Sequence, residues 1–543
     1  MIKSKKIRAI FAAGIFFILI AGTAGGYLVS KNVSGAQNTS ETSDNNSTSD
    51  ETEYSIAEYE ENDYDAGWDI NSSTVINLSD SSTTVKGNGA AFSDNVLTIT
   101  SAGTYVISGK LSDGQIVINC TDKANVHIVL NNADITSSDS AAILVLEAKK
   151  KVVVTLAENT TNTVTDNTRT TDTSKYKAVI YSKDDIVFNG TGTLVVNANY
   201  YHGIKGNDDL KIISGTYVIT SKQDGINCND STLIKDGYIT INAGDDGIHS
   251  DYALVIDGGN INIKESYEGL ESLYITINDG NIDVNSSDDG LNATNGSSQN
   301  NMMGGSGMAG GQKTGNNGDT DMKPDGMRQQ PGNNMQLPDN SNMQSGNGNN
   351  MQIPDNSGNV QFNNMQQNTT SSGDDSKYAD YTPVITINGG SVNVNASGDG
   401  IDSNGNIIIN GGTVIVSGPT SDGNSAIDFD GTCVINGGTV MAFGSSGMLE
   451  TPTSAANGCV VITTFSGNNA GQEYTLTDES GKVILSYIPA KNYGAAIVYS
   501  TDIKQGSTYT AASGSSTQSI SVNNSITSTY SGMSGMKGGM KRN

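Results

Sequence analysis

Along most of the chain, apolar and polar residues alternate in runs of two to five, rich in Ile, Val, Thr and Tyr. That pattern predicts short β-strands and no helix. Within residues 201–292 the runs fall into a fixed period. Gly203-Ile204, Gly225-Ile226, Gly247-Ile248, Gly269-Leu270 and Gly290-Leu291 recur at gaps of 22, 22, 22 and 21 residues, and the phase returns at Gly400-Ile401. Between copies one run ends in Asp-Gly, Asn-Gly or Gly-Gly and a second follows, as in Leu254-Val-Ile-Asp-Gly-Gly-Asn-Ile-Asn-Ile263. Ile407-Ile-Ile-Asn-Gly-Gly-Thr-Val-Ile-Val416 repeats that text. Such a unit holds two or three strands and cannot bury its own apolar side chains, so it must stack on its neighbours. A propeller blade needs about 40 residues and fits poorly. The period instead predicts an all-β solenoid, a single-stranded parallel β-helix with about 22 residues per coil. The Ile or Leu after each repeated Gly then points inward and stacks into an aliphatic column.

The turns carry their own signature. The residue before the second-turn glycine is Asn189, Ser214, Asp236, Asp257, Asp279, Asn388, Asn410 or Asn436. Short polar side chains tolerate turn geometry there, and stacked asparagines predict a hydrogen-bonded ladder. Glycine suits tight corners because it adopts positive φ cheaply.

The rest of the chain is organised around this repeat. Lys3, Lys5, Lys6 and Arg8 open it, and residues 7–29 are otherwise apolar or small. Residues 1–30 therefore read as a signal peptide or an N-terminal membrane anchor, which predicts an extracellular or surface-attached protein. Residues 31–72 read as a disordered polar linker. The first part of the β-helix spans 73–295, with less regular early coils as a cap. Residues 296–377 are a low-complexity Met/Asn/Gly/Gln insertion within one loop, tolerated because loop-closure entropy grows slowly with length. Self-association is the alternative role for that text. The helix resumes at 378–445. A small β-rich cap follows over 446–512, where the runs at 474–477, 483–487 and 495–499 predict an antiparallel sheet covering the last coil. Residues 513–543 read as a disordered tail. Cys120, Cys228, Cys433 and Cys459 show no metal spacing and read as buried free thiols.

Charge then narrows the chemistry. The chain holds 57 acidic and 30 basic residues, a formal charge of −27, which argues against a nucleic-acid partner. A carboxylate precedes the repeated glycine at Asp224, Asp246, Glu268, Asp289 and Asp399. Stacking brings these about 4.8 Å apart. Neighbouring carboxylates at that distance repel by roughly 1 kcal/mol in water and about 3–4 kcal/mol at an effective dielectric of 20. Asp245, Glu271, Asp288 and Asp402 add to the row, while Lys222 and Lys264 are the nearest bases in sequence. Ca²⁺, which takes six to eight oxygen ligands, fits such a row. The alternative is that turns merely space acids that face solvent.

The chain from about residue 73 to 512 resembles the clostridial cellulose- and acid-sugar-binding β-helix family of exported bacterial proteins. The resemblance is carried by Ala102-Gly-Thr-Tyr-Val-Ile-Ser-Gly109, Leu111-Ser-Asp-Gly-Gln-Ile-Val-Ile118, Asn132-Ala-Asp-Ile-Thr136, Ala141-Ala-Ile143, Val154-Thr-Leu-Ala157 and the Asp-Asp-Gly-Ile/Leu repeats. It implies a right-handed parallel β-helix akin to polysaccharide lyases, bound calcium, and carbohydrate binding without established catalysis. On the resemblance, Asp245, Asp246, Asp288 and Asp289 are expected calcium ligands. Ser397-Gly398-Asp399 has one acid and Tyr201-His202-Gly203 none, and the insertion matches nothing in the family pattern.

The function expected is calcium-dependent binding of a cellulose-like or acidic polysaccharide, with Tyr200, Tyr201, Tyr252, Tyr267 and Tyr274 near the repeat turns as candidate sugar contacts. A calcium-dependent lyase is the alternative, with Lys205, Lys222, His202 or His249 as base, and a structural surface protein without sugar affinity is a third. No catalytic residue is assigned.

Overall fold

The computed structural model of the chain describes residues 55–168, 175–296, 377–467 and 469–530. The expected leader, most of the insertion, the start of the linker and the end of the tail lie outside the described residues.

Each regular coil is three short strands joined by corners, and each strand pairs in parallel with its equivalent one coil on. In the first ladder, residues 226–228 pair with 248–250, then 270–272, 291–293, 401–403 and 427–429. The second ladder runs through 231–234, 253–256, 274–277, 384–387, 406–409 and 433–435. The third runs through 238–242, 260–265, 281–285, 391–395, 413–417 and 439–443. This is the expected parallel β-helix. Ile204, Ile226, Ile248, Leu270, Leu291, Ile401 and Ile427 form the predicted aliphatic column, none more than 1% exposed. Each such side chain contributes about 1.5–3 kcal/mol by leaving water.

The two sets of glycines have different reasons. At the second turn one glycine adopts positive φ: the glycine directly after the short polar residue in some coils, as at Gly237 with 130°, and the second of the Gly-Gly pair in others, as at Gly412 with 79°. The repeated glycines before the aliphatic column do not. There a side chain would collide with the backbone oxygen of the next coil's glycine: at Gly269, a Cβ strikes Gly290 O and Val284 Cγ1. The asparagine ladder is present, with Nδ2-to-Oδ1 bonds of 2.8 Å from Asn388 to Asn278, Asn410 to Asn388 and Asn436 to Asn410.

The insertion leaves the coil register intact. Residues 281 and 391, 110 apart, pair as neighbours, and Asn295 Nδ2 bridges its two ends by bonding Ala379 O and Tyr381 O, both at 3.1 Å. All four cysteines are free and buried.

Three segments differ from the expectation. Part of the supposed linker is ordered: a 3₁₀ turn, Glu61–Tyr64, lies against the side of the coils. Asp63 is fully buried there and meets Lys151 and Lys211, with Glu60 3.1 Å from Lys151 Nζ. Its partners lie about 90 and 150 residues downstream, so no local pattern announces it. At the other end, Ala495–Ser500 joins the main sheet instead of the cap sheet, pairing antiparallel with Thr439–Gly444 and closing the last coil. The cap sheet instead contains Tyr474–Asp478, Val483–Tyr487, Thr508–Ser513 and Ser516–Ser521, so ordered structure continues past residue 512.

Candidate functional site

The nine acids singled out in the sequence fall on adjoining rows of one corner of the β-helix. The first row holds His202, Asp224, Asp246, Glu268, Asp289, Asp399 and Ser425. It is fixed by backbone bonds in which each repeated glycine N–H donates to the carbonyl of the next row member, as from Gly247 to Glu268 O at 2.9 Å. Three carboxylates also accept the backbone N–H one coil on: Asp224 Oδ1 from Asp246 at 3.2 Å, Asp289 Oδ1 from Asp399 at 2.6 Å, and Asp399 Oδ1 from Ser425. The second row lies three residues on. In it Lys205, Asn227, His249, Glu271, Asn292, Asp402 and Asp428 stand in strict register. This row points outward, alternating with the aliphatic column, and it meets the first row across the corner, as where Asn227 Nδ2 donates to Asp224 Oδ2 at 2.5 Å. Asp245 and Asp288 sit just before the first row, linked through Tyr267: its N–H donates to Asp245 O, and its carbonyl accepts from Asp288.

The row divides by the charge that answers it. Towards the N-terminal coils, histidines intervene. His202 Nδ1 is 3.3 Å from Asp224 Oδ2. His249 Nδ1 is 3.1 Å from Glu271 Oε2 and 3.5 Å from Asp246 Oδ2, while Nε2 is 2.9 Å from Asp251 Oδ1. Burial would raise Asp224, but His202, His249 and the Asn227 amide hold it below the ordinary carboxylate range. Burial would lower His249; Glu271, Asp246 and Asp251 overcome this and hold it well above the usual imidazole value. Burial, with Asp246 and Glu268, pushes Glu271 up.

Towards the C-terminal coils the charges acting are other carboxylates. Burial, Asp288 and Asp399 push Asp289 up to about 8. Burial, Asp289 and Asp399 push Asp402 up to about 9. Burial pushes Asp399 up to about 6 despite the N–H it receives from Ser425. Asn292 spans the two groups: its Nδ2 donates to Glu268 Oε2 at 2.9 Å, while its Oδ1 is buried and accepts no hydrogen bond among the described residues. A side chain at Gly398 would collide with Asp288 Oδ1 and Asp289 Oδ1, so glycine there leaves both oxygens their space. This donor set, all oxygen and unable to stay ionised together, fits a hard cation such as Ca²⁺.

Sequence reasoning missed the histidines as internal counter-charges, though their 22-residue spacing from Asp224 and Glu271 was in view. It also missed a second acidic corner at Asp185, Asp208 and Asp209, where burial and mutual repulsion push Asp208 and Asp209 to about 6. The doublets Asp184-Asp185 and Asp208-Asp209, 24 apart, were its signal. Of the tyrosines, Tyr252 is only 7% exposed and packs on Tyr274 and Tyr378, where the chain returns from the insertion.

A family profile described as carbohydrate-binding domain-containing protein matches residues 93–423, more than half of the chain. The chain belongs to this carbohydrate-binding family. All nine acids fall inside the matched span. A member from Acetivibrio thermocellus, a carbohydrate-binding domain-containing protein, is 36% identical over 135 residues. That alignment covers 24% of this chain and 47% of the relative, so the chain spans about half the length of the family member it matches. A solved polysaccharide lyase-like protein from C. thermocellum, in a gadolinium derivative, is similar at 29% identity and a TM-score of 0.34, over 40% of this chain and 91% of that one.

Proposed function

We propose that the protein is an exported, calcium-dependent polysaccharide-binding protein whose preferred ligand is an acidic chain such as a polygalacturonate. One observation carries the calcium: Asp288, Asp289, Asp399 and Asp402 crowd one corner, and two of them are pushed up to about 8 and 9 by burial and each other. A divalent ion relieves that repulsion, and Asn292 Oδ1 supplies a neutral oxygen beside them. Family membership supports the carbohydrate. An ion shared between protein acids and a uronate explains how a chain of formal charge −27 holds an acidic polymer. The basic and apolar opening of the sequence supports export.

Two of the candidate bases of a lyase, Lys205 and His249, are poorly poised. Lys205 Nζ is engaged by Asn227 Oδ1 and by Asn229 Oδ1 at 2.8 Å, and three carboxylates favour the protonated form of His249. A base needs the opposite poise. Incubating the protein with polygalacturonate, with and without calcium, tests the proposal. Calcium-dependent retention without cleavage is expected. New unsaturated chain ends would establish the lyase instead, and no retention on acidic or neutral polymers would leave only a scaffold.

A further inference from the structure

We infer that Asp246, His249 and Glu271 form a separate site for a borderline divalent metal such as Zn²⁺, distinct in chemistry from the all-oxygen calcium corner and independent of it. The side-chain atoms of these three converge within 4.8 Å of one another. Their arrangement follows from the fold. Asp246 precedes the corner glycine, His249 follows it on the outward face, and Glu271 occupies the register position of His249 one coil on.

Tetrahedral zinc with bonds of about 2.0–2.1 Å sets its ligand atoms roughly 3.3–3.4 Å apart. The observed separations, 3.1 Å from His249 Nδ1 to Glu271 Oε2 and 3.5 Å to Asp246 Oδ2, bracket that value. Three protein ligands leave a fourth position open for water or a bound molecule, the pattern of reactive rather than purely structural zinc.

The outer contact of the ring completes the assignment. Asp251 Oδ1 is 2.9 Å from His249 Nε2. A carboxylate only accepts, so Nε2 carries the proton and donates to it. That orients the ring and aims Nδ1 at the space between Asp246 and Glu271. A histidine held from behind by a carboxylate is the usual support for a metal ligand. Imidazole nitrogen suits zinc, copper, nickel or iron and is foreign to calcium, which takes oxygen.

The test uses the full chain stripped with a chelator, then titrated with Zn²⁺, or with Co²⁺ as a visible probe. One equivalent of Co²⁺ should produce the absorption bands of a low-coordinate nitrogen/oxygen site. Millimolar Ca²⁺ should not displace them. His249→Ala should weaken Zn²⁺ binding by about 100-fold or more, and Asp251→Asn by roughly 10-fold or more through the supporting contact. Glu271→Gln, a near-isosteric change, should weaken it while the melting curve shows a folded protein. Asp289→Asn with Asp402→Asn should leave zinc binding intact while abolishing the calcium response, which separates this inference from the calcium proposal. Bands unaffected by His249→Ala, displacement of zinc by calcium, or absence of any bound cobalt in the wild-type protein would each overturn the assignment.

Discussion

Replacing Asp289 with Asn should stabilise the metal-free protein and at the same time abolish its stabilisation by calcium. Asn keeps Oδ1 as acceptor for the Asp399 N–H at 2.6 Å, so the coil-to-coil bond survives. What it removes is the charge. In the folded protein Asp289 titrates near 8, against 3.8 in an unfolded chain. A group raised on folding contributes stability that is complete below the unfolded value and is lost as pH rises through the folded one. In chelator, wild-type stability should therefore fall from about pH 4 to pH 8. Between pH 5 and 8 the full linkage is about 4 kcal/mol at roughly 1.4 kcal/mol per unit. Because Asp289 keeps some contact with solvent, about half of that, near 2 kcal/mol, is the expected loss. For a cooperative unit of this size that is a fall in Tm of about 2–3 °C, and more if the coils unfold in smaller groups. Calorimetry at pH 5 and pH 8, with EDTA or with calcium, measures both variants. The expected order at pH 8 in EDTA is Asp289→Asn above wild type, reversed or equalised in calcium. A variant no more stable than wild type at pH 8 in EDTA, or one that still gains stability from calcium as wild type does, would refute the reasoning.

Two further outcomes follow from the packing. Lys151→Met with Lys211→Met should destabilise by about 3–5 kcal/mol, because together they strand the fully buried carboxylate of Asp63, and adding Asp63→Leu should recover most of that in chemical denaturation. Gly269→Ala should destabilise by more than the roughly 1–3 kcal/mol of ordinary overpacking, since the new methyl meets backbone oxygen; Gly467→Ala, with open space around it but φ at 98°, should cost about 1 kcal/mol, as read by denaturant midpoints.

Much of the architecture was legible because it repeats. A Gly-Ile pair every 22 residues states the coil length, and the inward column from Ile204 to Ile427 follows from it without any long-range information. The nine acids were legible for the same reason: a residue at a fixed phase of a periodic coil lands on a row. What periodicity could not supply was what faces that row from a different phase. His249 answers Asp246 across the corner and Glu271 across the coil, while Asp251 answers His249 from two residues on, and only assembled geometry shows that all four converge. The strap at Asp63 was illegible in the same sense. Its polar residues read as spacer until lysines far along the chain are brought beside them.

By itself, then, the amino-acid order determined the period, the strand type, the inward and outward faces and the coil corner where the acids gather, because these depend on local alternation and spacing. The tertiary structure decided which acids are answered by histidine and which only by other carboxylates, which end strand closes the last coil, and where the N-terminal segment docks. Those outcomes turn on distances of 3–4 Å between residues up to about 150 positions apart. Burial then converts such distances into charge states that no spacing rule contains.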